Sequence, residues 1–131
     1  MAWNILYIDD SQTELSTVAN ALTRDGHKVT TRPGPYDCDA ALAEANLVII
    51  DYHLGGTNGS EILAMLRERV QGWERIPRFF LYTSDTEVGA DYRALGFDGR
   101  FILKGNTDAL KRQIDAAMRI EQLRQLRPQT S

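Results

Sequence analysis

Apolar positions along this chain follow two alternating patterns. Short runs such as Leu47-Val48-Ile49-Ile50 and Phe79-Phe80-Leu81-Tyr82 are apolar at every position, the sign of strands covered on both faces. Between the runs lie stretches of up to about three turns or more whose apolar residues recur at helical spacing. Read in order, residues 4–9 are a strand. Residues 11 to about 24 are a helix with Leu15, Val18, Ala19 and Leu22 inward. Ser11 and Glu14 form a capping-box pattern at its start, and Gly26 suits its stop. Residues 27–31 are a more polar strand, as expected at a sheet edge. Cys38, Ala41, Leu42 and Ala45 mark a short second helix, and Leu47–Ile50 is the third strand. Residues 55–59 are a loop. Residues 60 to about 69 are a helix with Ile62, Leu63, Leu66 and Val70 inward. After a loop at 71–77, where Trp73 packs over a helix end, residues 79–82 are the fourth strand. Residues 86–95 make a short helix weakened by Gly89, which costs ~1 kcal/mol relative to Ala. Residues 101–103 are the fifth strand. The last helix runs from Thr107 to about 127, with Leu110, Ile114, Ala117 and Met118 buried and Pro128 as its stop.

Five repeats of strand then helix imply parallel pairing through right-handed crossovers. Helices then cover both faces of the sheet. A barrel of eight such units needs nearly twice this length. The expected architecture is an α/β doubly wound, five-stranded parallel sheet.

The 131 residues fit one domain, residues 1–131, with a core at about 3–124 and a helix end and tail at 125–131. At that size folding hides roughly two-thirds of the chain's surface, so a core needs no staples. A hydrophobic fraction of 43% against 25% charged residues excludes disorder as the default. The net charge of -3, with both signs mixed along the chain, argues against a general nucleic-acid binder. The single cysteine, Cys38, excludes an intrachain disulfide and a cysteine metal cluster. No apolar stretch approaches the ~20 residues of a membrane span. The simplest expectation is a cytoplasmic protein without membrane insertion.

Four of the apolar runs stop at polar chemistry. The first run ends at Asp9-Asp10, the third at Asp51, the fourth at Thr83-Ser84 and the fifth at Lys104. In an open parallel sheet, ligands bind outside the carboxyl ends of the strands. Three carboxylates gathered there repel one another unless a cation neutralises them. Mg²⁺ suits such a set, because it accepts a few carboxylates and binds phosphate oxygens. Asp10 could instead cap the first helix. Asp51 is either a turn cap or a nucleophile able to form an aspartyl phosphate. Lys104 would supply a positive pole, and Thr83 a hydroxyl. Ser84-x-x-Glu87 is itself a capping-box pattern, so Ser84 is the expected cap and Thr83 the site hydroxyl.

On these residues the chain resembles the response-regulator receiver domains of bacterial two-component signalling. The shared pattern is an acidic pair after strand one, an acceptor Asp after strand three, Thr or Ser after strand four, and Lys after strand five. Here these are Asp9-Asp10, Asp51, Thr83 and Lys104. Gly59, eight residues past Asp51, also matches. The resemblance covers residues 3 to about 124 and implies a flavodoxin-like sheet of order 2-1-3-4-5.

The resemblance implies that Asp51 accepts a phosphoryl group from a histidine kinase or histidine phosphotransfer protein. Asp10, Asp51 and the backbone carbonyl of His53 would hold Mg²⁺, with Asp9 helping through water. Lys104 and Thr83 would hold the phosphoryl oxygens. Thr83 and Phe101 would switch the face formed by the fourth helix, fifth strand and fifth helix, which would bind a downstream protein; Phe101 could equally be a simple core aromatic of its strand. In the family the positions of His53 and Asp85 flank the phosphate and tune its lifetime; His53 could instead be a surface residue that contributes only its carbonyl to the metal. The domain would be no enzyme beyond self-phosphorylation and slow autodephosphorylation. Ile120, Leu123 and Leu126 keep apolar character along the last helix, consistent with a monomer or weak dimer. The alternatives are a phosphorylation-independent adaptor and the N-terminal receiver fragment of a longer regulator. Two positions depart from the family: Gly105 follows Lys104, and Gly55 stands four residues past Asp51, where prolines are usual. A cis bond before a non-proline residue costs ~2.5–4 kcal/mol, so a trans turn is expected after Lys104.

Overall fold

The structure, a computed structural model, describes residues 2–126. The elements are β1 (Asn4–Ile8), α1 (Gln12–Arg24), β2 (Lys28–Arg32), α2 (Asp39–Glu44), β3 (Leu47–Ile50), β4 (His53–Leu54), β5 (Thr57–Asn58), α3 (Gly59–Val70), β6 (Arg78–Thr83), α4 (Thr86–Ala90), β7 (Ile102–Leu103) and α5 (Thr107–Leu126). The main sheet is parallel throughout, in the order β2-β1-β3-β6-β7. With the short β4–β5 pair set aside, that is the expected 2-1-3-4-5.

Strand alternation sends each strand's apolar residues to two cores. Ile5, Tyr7, Leu47, Ile49, Phe80 and Tyr82 pack with Leu15, Val18 and Leu22 of α1 and Leu110, Ile114 and Met118 of α5. Leu6, Ile8, Val48, Ile50, Phe79 and Leu81 pack with Leu42 of α2 and Ile62, Leu63 and Leu66 of α3. β3 has a strand on each side and a core on each face, so all four of its residues are buried. β2 lies at the edge and is at most half-buried along its length.

Several expectations shift in detail. The glycine loop after Asp51 holds a small antiparallel hairpin, with His53 opposite Asn58 and Leu54 opposite Thr57. Gly55-Gly56 is its two-residue turn, and Gly56 takes φ +79°, which glycine adopts at little cost. Asn58 caps α3 by accepting from the Glu61 N–H at 3.0 Å. α4 is five residues rather than ten. Its cap is Asp85, not Ser84: Asp85 Oδ1 accepts the N–H groups of both Glu87 and Val88 at 3.1 Å. A carboxylate can take two amides at once, so the frame moves one residue beyond the capping-box pattern. The Ser11 cap of α1 forms as expected, with Ser11 Oγ accepting from Glu14 N at 3.3 Å. His27 precedes β2 and is buried, accepting the Trp3 N–H at 3.1 Å. Trp73 follows the end of α3, its N–H donating to the Val70 carbonyl at 3.0 Å, and lies partly exposed beside Arg69 and Leu42. The Pro128 stop and the tail at 127–131 lie outside the described residues.

Candidate functional site

The carboxyl ends of β1, β3, β6 and β7 meet at one rim. β1 pairs with β3 from Ile5↔Leu47 to Ile8↔Ile50, which sets Asp9 and Asp51 side by side one residue beyond the ladder. The Asp51 N–H donates to the Ile8 carbonyl at 3.0 Å. β6 and β7 pair as Tyr82↔Ile102 and Thr83↔Leu103. The Lys104 N–H then donates to the Thr83 carbonyl at 3.0 Å, holding Lys104 against the end of β6.

Lys104 Nζ lies 3.0 Å from Asp51 Oδ2 and 2.8 Å from Asp9 Oδ2. Asp9, Asp10 and Asp51 each bring a carboxylate oxygen within 4.8 Å of the other two. Their roles differ by burial. Asp9 is fully buried, and Asp51 is 3% exposed. Asp10 faces solvent, so it forms the open lip of the site. Asp9 Oδ2 also accepts from the Tyr7 hydroxyl at 2.6 Å, and Asp9 Oδ1 from the Ser11 N–H at 2.9 Å. Asp51 Oδ1 accepts from its neighbour's N–H, Tyr52, at 2.8 Å. Asp10 Oδ2 accepts from the Gly55 N–H at 3.1 Å, tying the hairpin to the end of β1. Asp10 is therefore a site residue, and the cap of α1 falls to Ser11.

Electrostatics follow from this burial. Removal from water pushes the Asp51 carboxyl above its ordinary value, and the Asp9 charge adds to the rise. Lys104 and the Tyr52 N–H pull it back only in part. Burial works against the Lys104 charge, but hydrogen bonds to Asp9 and Asp51 outweigh it and hold the ammonium above its usual range. Three carboxylates face one ammonium, so the site retains excess negative charge. At an effective dielectric near 20, unit charges about 4 Å apart interact by about 4 kcal/mol, enough to favour a cation. The donors are all oxygen, which suits a hard divalent ion such as Mg²⁺ and not zinc. Asp9 already has three donors on its two oxygens, so Asp10 and Asp51 hold the spare lone pairs.

Thr83 ends β6, fully buried, with its hydroxyl oxygen accepting the Asp85 N–H at 3.2 Å. His53 and Asp85, far apart in sequence, meet at the surface, with His53 Nε2 2.8 Å from Asp85 Oδ2. The bond to His53, aided by the Val88 N–H, keeps the Asp85 carboxyl below its usual range. Phe101 stands apart from the acids. It precedes β7 and rests on α4, where a Cβ at Gly89 would meet its ring at 2.5 Å. Gly89 is thus the seat of that ring and not merely a weak helix residue. Gly59 is equally constrained: a Cβ there would run into the Asp51 carbonyl, and its N–H donates to the Tyr52 carbonyl at 2.6 Å. No peptide bond among the described residues is cis, and Gly105 takes φ +93° in a trans turn.

Two contributors escape the sequence pattern. Tyr7 and Tyr82 read as core residues of buried strands, yet each sends its hydroxyl to the site. Tyr82 Oη accepts the Gly105 N–H at 2.9 Å. A phenol in a run whose other side chains carry no polar atom is the signal that could have found them, since a buried hydroxyl needs a partner.

No family model matches the chain. Over 120 residues, 86% of this chain, it is 28% identical to the sensor histidine kinase AruS of Pseudomonas aeruginosa, and it spans only 12% of that protein's length. Solved structures match more completely. A CheY-like response regulator receiver domain protein from Methanospirillum hungatei superposes with a TM-score of 0.76 at 20% identity, over 95% of this chain and 99% of the other. The chemotaxis response regulator CheY4 of Vibrio cholerae gives 0.73 at 21% identity, over 88% and 98%. The response regulator TrrA of Thermotoga maritima, solved in complex with Mg²⁺-BeF, gives 0.71 at 20% identity, over 86% and 96%. At these identities the likeness is one of architecture: the chain has the flavodoxin-like fold of response-regulator receiver domains.

Proposed function

We propose that this domain is a phosphoacceptor of two-component signalling, with Asp51 as the acceptor and Mg²⁺ as cofactor. The observation that carries the reading is Lys104 Nζ at 3.0 Å from Asp51 Oδ2, with the Asp10 carboxylate across the same cluster. The presence of this fold in a protein solved with Mg²⁺-BeF supports it.

An Asp51 carboxylate oxygen attacks the phosphorus of a phosphohistidine. The P–O bond forms as the P–N bond breaks, and the leaving imidazole nitrogen keeps the electron pair. Asp10, Asp51 and the His53 carbonyl would hold Mg²⁺, with Asp9 bound through water. The ion supplies charge neutralisation between attacking carboxylate and phosphoryl oxygens. Lys104 neutralises phosphoryl oxygens from the buried side, and the Thr83 hydroxyl donates to one of them. Water later attacks phosphorus and releases free Asp51 and phosphate, slowly, so the domain is a switch and not a turnover enzyme. His53 and Asp85 flank the approach of that water and set its rate. Engagement of Thr83 and repositioning of Phe101 alter the face of α4, β7 and α5, where a downstream protein binds. The donor is a histidine kinase or histidine phosphotransfer protein, and a cytoplasmic location follows from such a donor.

Incubation with acetyl phosphate and Mg²⁺ tests the reading by intact mass. One phosphoryl group is expected, absent with chelator and absent in Asp51→Ala. Labelling that survives Asp51→Ala overturns the assignment.

A further inference from the structure

We propose that the Tyr7 and Tyr82 hydroxyls are positioning groups for Lys104. One holds the carboxylate on which the ammonium rests, and the other holds the turn that carries the lysine. The inference concerns Lys104 as the Proposed function uses it, and so rests on that reading for its catalytic consequence.

Both tyrosines are buried in the core between the sheet and α1 and α5, with 0% and 1% exposure. Packing alone would be served by phenylalanine or leucine. A hydroxyl buried without a partner costs about 1–3 kcal/mol, so its presence must be compensated locally. Each hydroxyl finds its partner one step from Lys104. Tyr7 donates to Asp9 Oδ2, the same oxygen that lies 2.8 Å from Lys104 Nζ. Burial and that bond push the Tyr7 phenol far above its usual range, so it stays a donor. Tyr82 accepts from Gly105, the residue after Lys104. The two rings meet edge to face with centroids 6.0 Å apart, forming one unit beneath the site.

This unit also accounts for Gly105. A proline there has no N–H to give Tyr82, and its φ near −65° cannot reach the +93° of this turn. The glycine and the tyrosine therefore act together: the hydroxyl supplies the anchor for a turn that the ring of a proline would otherwise stiffen. Asp9, fixed from below by Tyr7 and from its own loop by Ser11, serves as the permanent seat of the ammonium. Asp51 and Asp10 are left to meet the metal and the phosphoryl group.

The test uses Tyr7→Phe, Tyr82→Phe and the double variant, each removing one oxygen and preserving the ring. The first readout needs no phosphorylation: the NMR signals of the Lys104 side-chain ¹³Cε and ¹⁵Nζ in the metal-free protein. Each variant is expected to move or broaden them toward a free lysine. Signals unchanged in both folded variants overturn the proposal. The second readout is acetyl phosphate labelling, in which the maximal rate is expected to fall at least about ten-fold while the Mg²⁺ concentration for half-maximal labelling holds. In a Lys104→Met background the tyrosine variants are expected to cause no further loss. An equal further loss in that background means the tyrosines act only through general stability and overturns the positioning role. If the wild-type chain takes no label at all, the phosphoacceptor reading falls, and the NMR readout still decides whether the hydroxyls place Lys104.

Discussion

The two faces of the sheet are packed very differently, although they share every central strand. One carries α1 and α5, with 13 and 20 residues, and their core side chains are almost wholly buried. The other carries α3 between two fragments, α2 with six residues and α4 with five. Around α4 the packing partners Val88, Tyr92, Leu95 and Phe101 are only partly buried. The site straddles this divide. Asp9 and Lys104 are anchored to the first face through Tyr7 and Tyr82. Thr83 and Asp85 lead into α4, His53 bonds to Asp85, and Phe101 leans on the helix. The comparison separates an anchored half, which holds charge in place, from a lightly held half, which can be rearranged at small cost. A ligand shifts a population only by the difference in how it meets two states, and the second half is where two states are cheapest.

The largest test of this contrast is truncation on each side. Ile114→Ala, fully buried under α5, is expected to cost about 2–5 kcal/mol in denaturant unfolding. Val88→Ala on α4 is expected to cost about 1 kcal/mol or less, since it removes half-buried methyls. Equal losses would erase the distinction between the faces.

Asp51→Asn probes the cost of the buried charge. The folded carboxyl is raised above the unfolded value of 3.8, so the native state binds its proton more readily than the unfolded chain. Stability from this group is then lost as pH rises from the unfolded value through the folded one. In chelator at pH 7, Asp51→Asn is expected to unfold at higher denaturant than wild type. That advantage should shrink as pH falls toward 3.8. A variant less stable at pH 7 would show that Lys104 outweighs the burial.

Gly89→Ala measures the Phe101 seat. In an open helix the change gains ~1 kcal/mol. Here the new Cβ would meet the ring at 2.5 Å, so no gain in thermal midpoint is expected, with a shifted Phe101 ring signal. A full gain would mean that the ring yields freely. The smallest effect on stability belongs to His53→Ala, because the pair with Asp85 lies at the surface. Its unfolding should match wild type while the half-life of the phosphorylated form changes; an unchanged half-life removes His53 from rate control.

Much of this was legible along the chain. The apolar runs placed all five strands of the main sheet to within about two residues, and their polar ends named Asp9, Asp10, Asp51, Thr83 and Lys104 as neighbours. The Ser11 cap and the inward faces of α1, α3 and α5 were equally plain. The cap of α4 was not, because Ser84-x-x-Glu87 and Asp85 compete for the same amides and backbone geometry decides between them. The hairpin of His53–Leu54 and Thr57–Asn58 leaves no mark in the pattern, because two-residue strands carry no periodicity.

The order of elements and the chemistry at strand ends were set by the sequence alone, because burial and helical spacing are local patterns that survive without coordinates. Which carboxylate seats the ammonium and which faces solvent was decided only in three dimensions. So were the bond between His53 and Asp85, the ring of Phe101 on Gly89, and the hydroxyls of Tyr7 and Tyr82 beneath Lys104. Each of those depends on distances across separate strands and loops, and periodicity along a chain does not encode them.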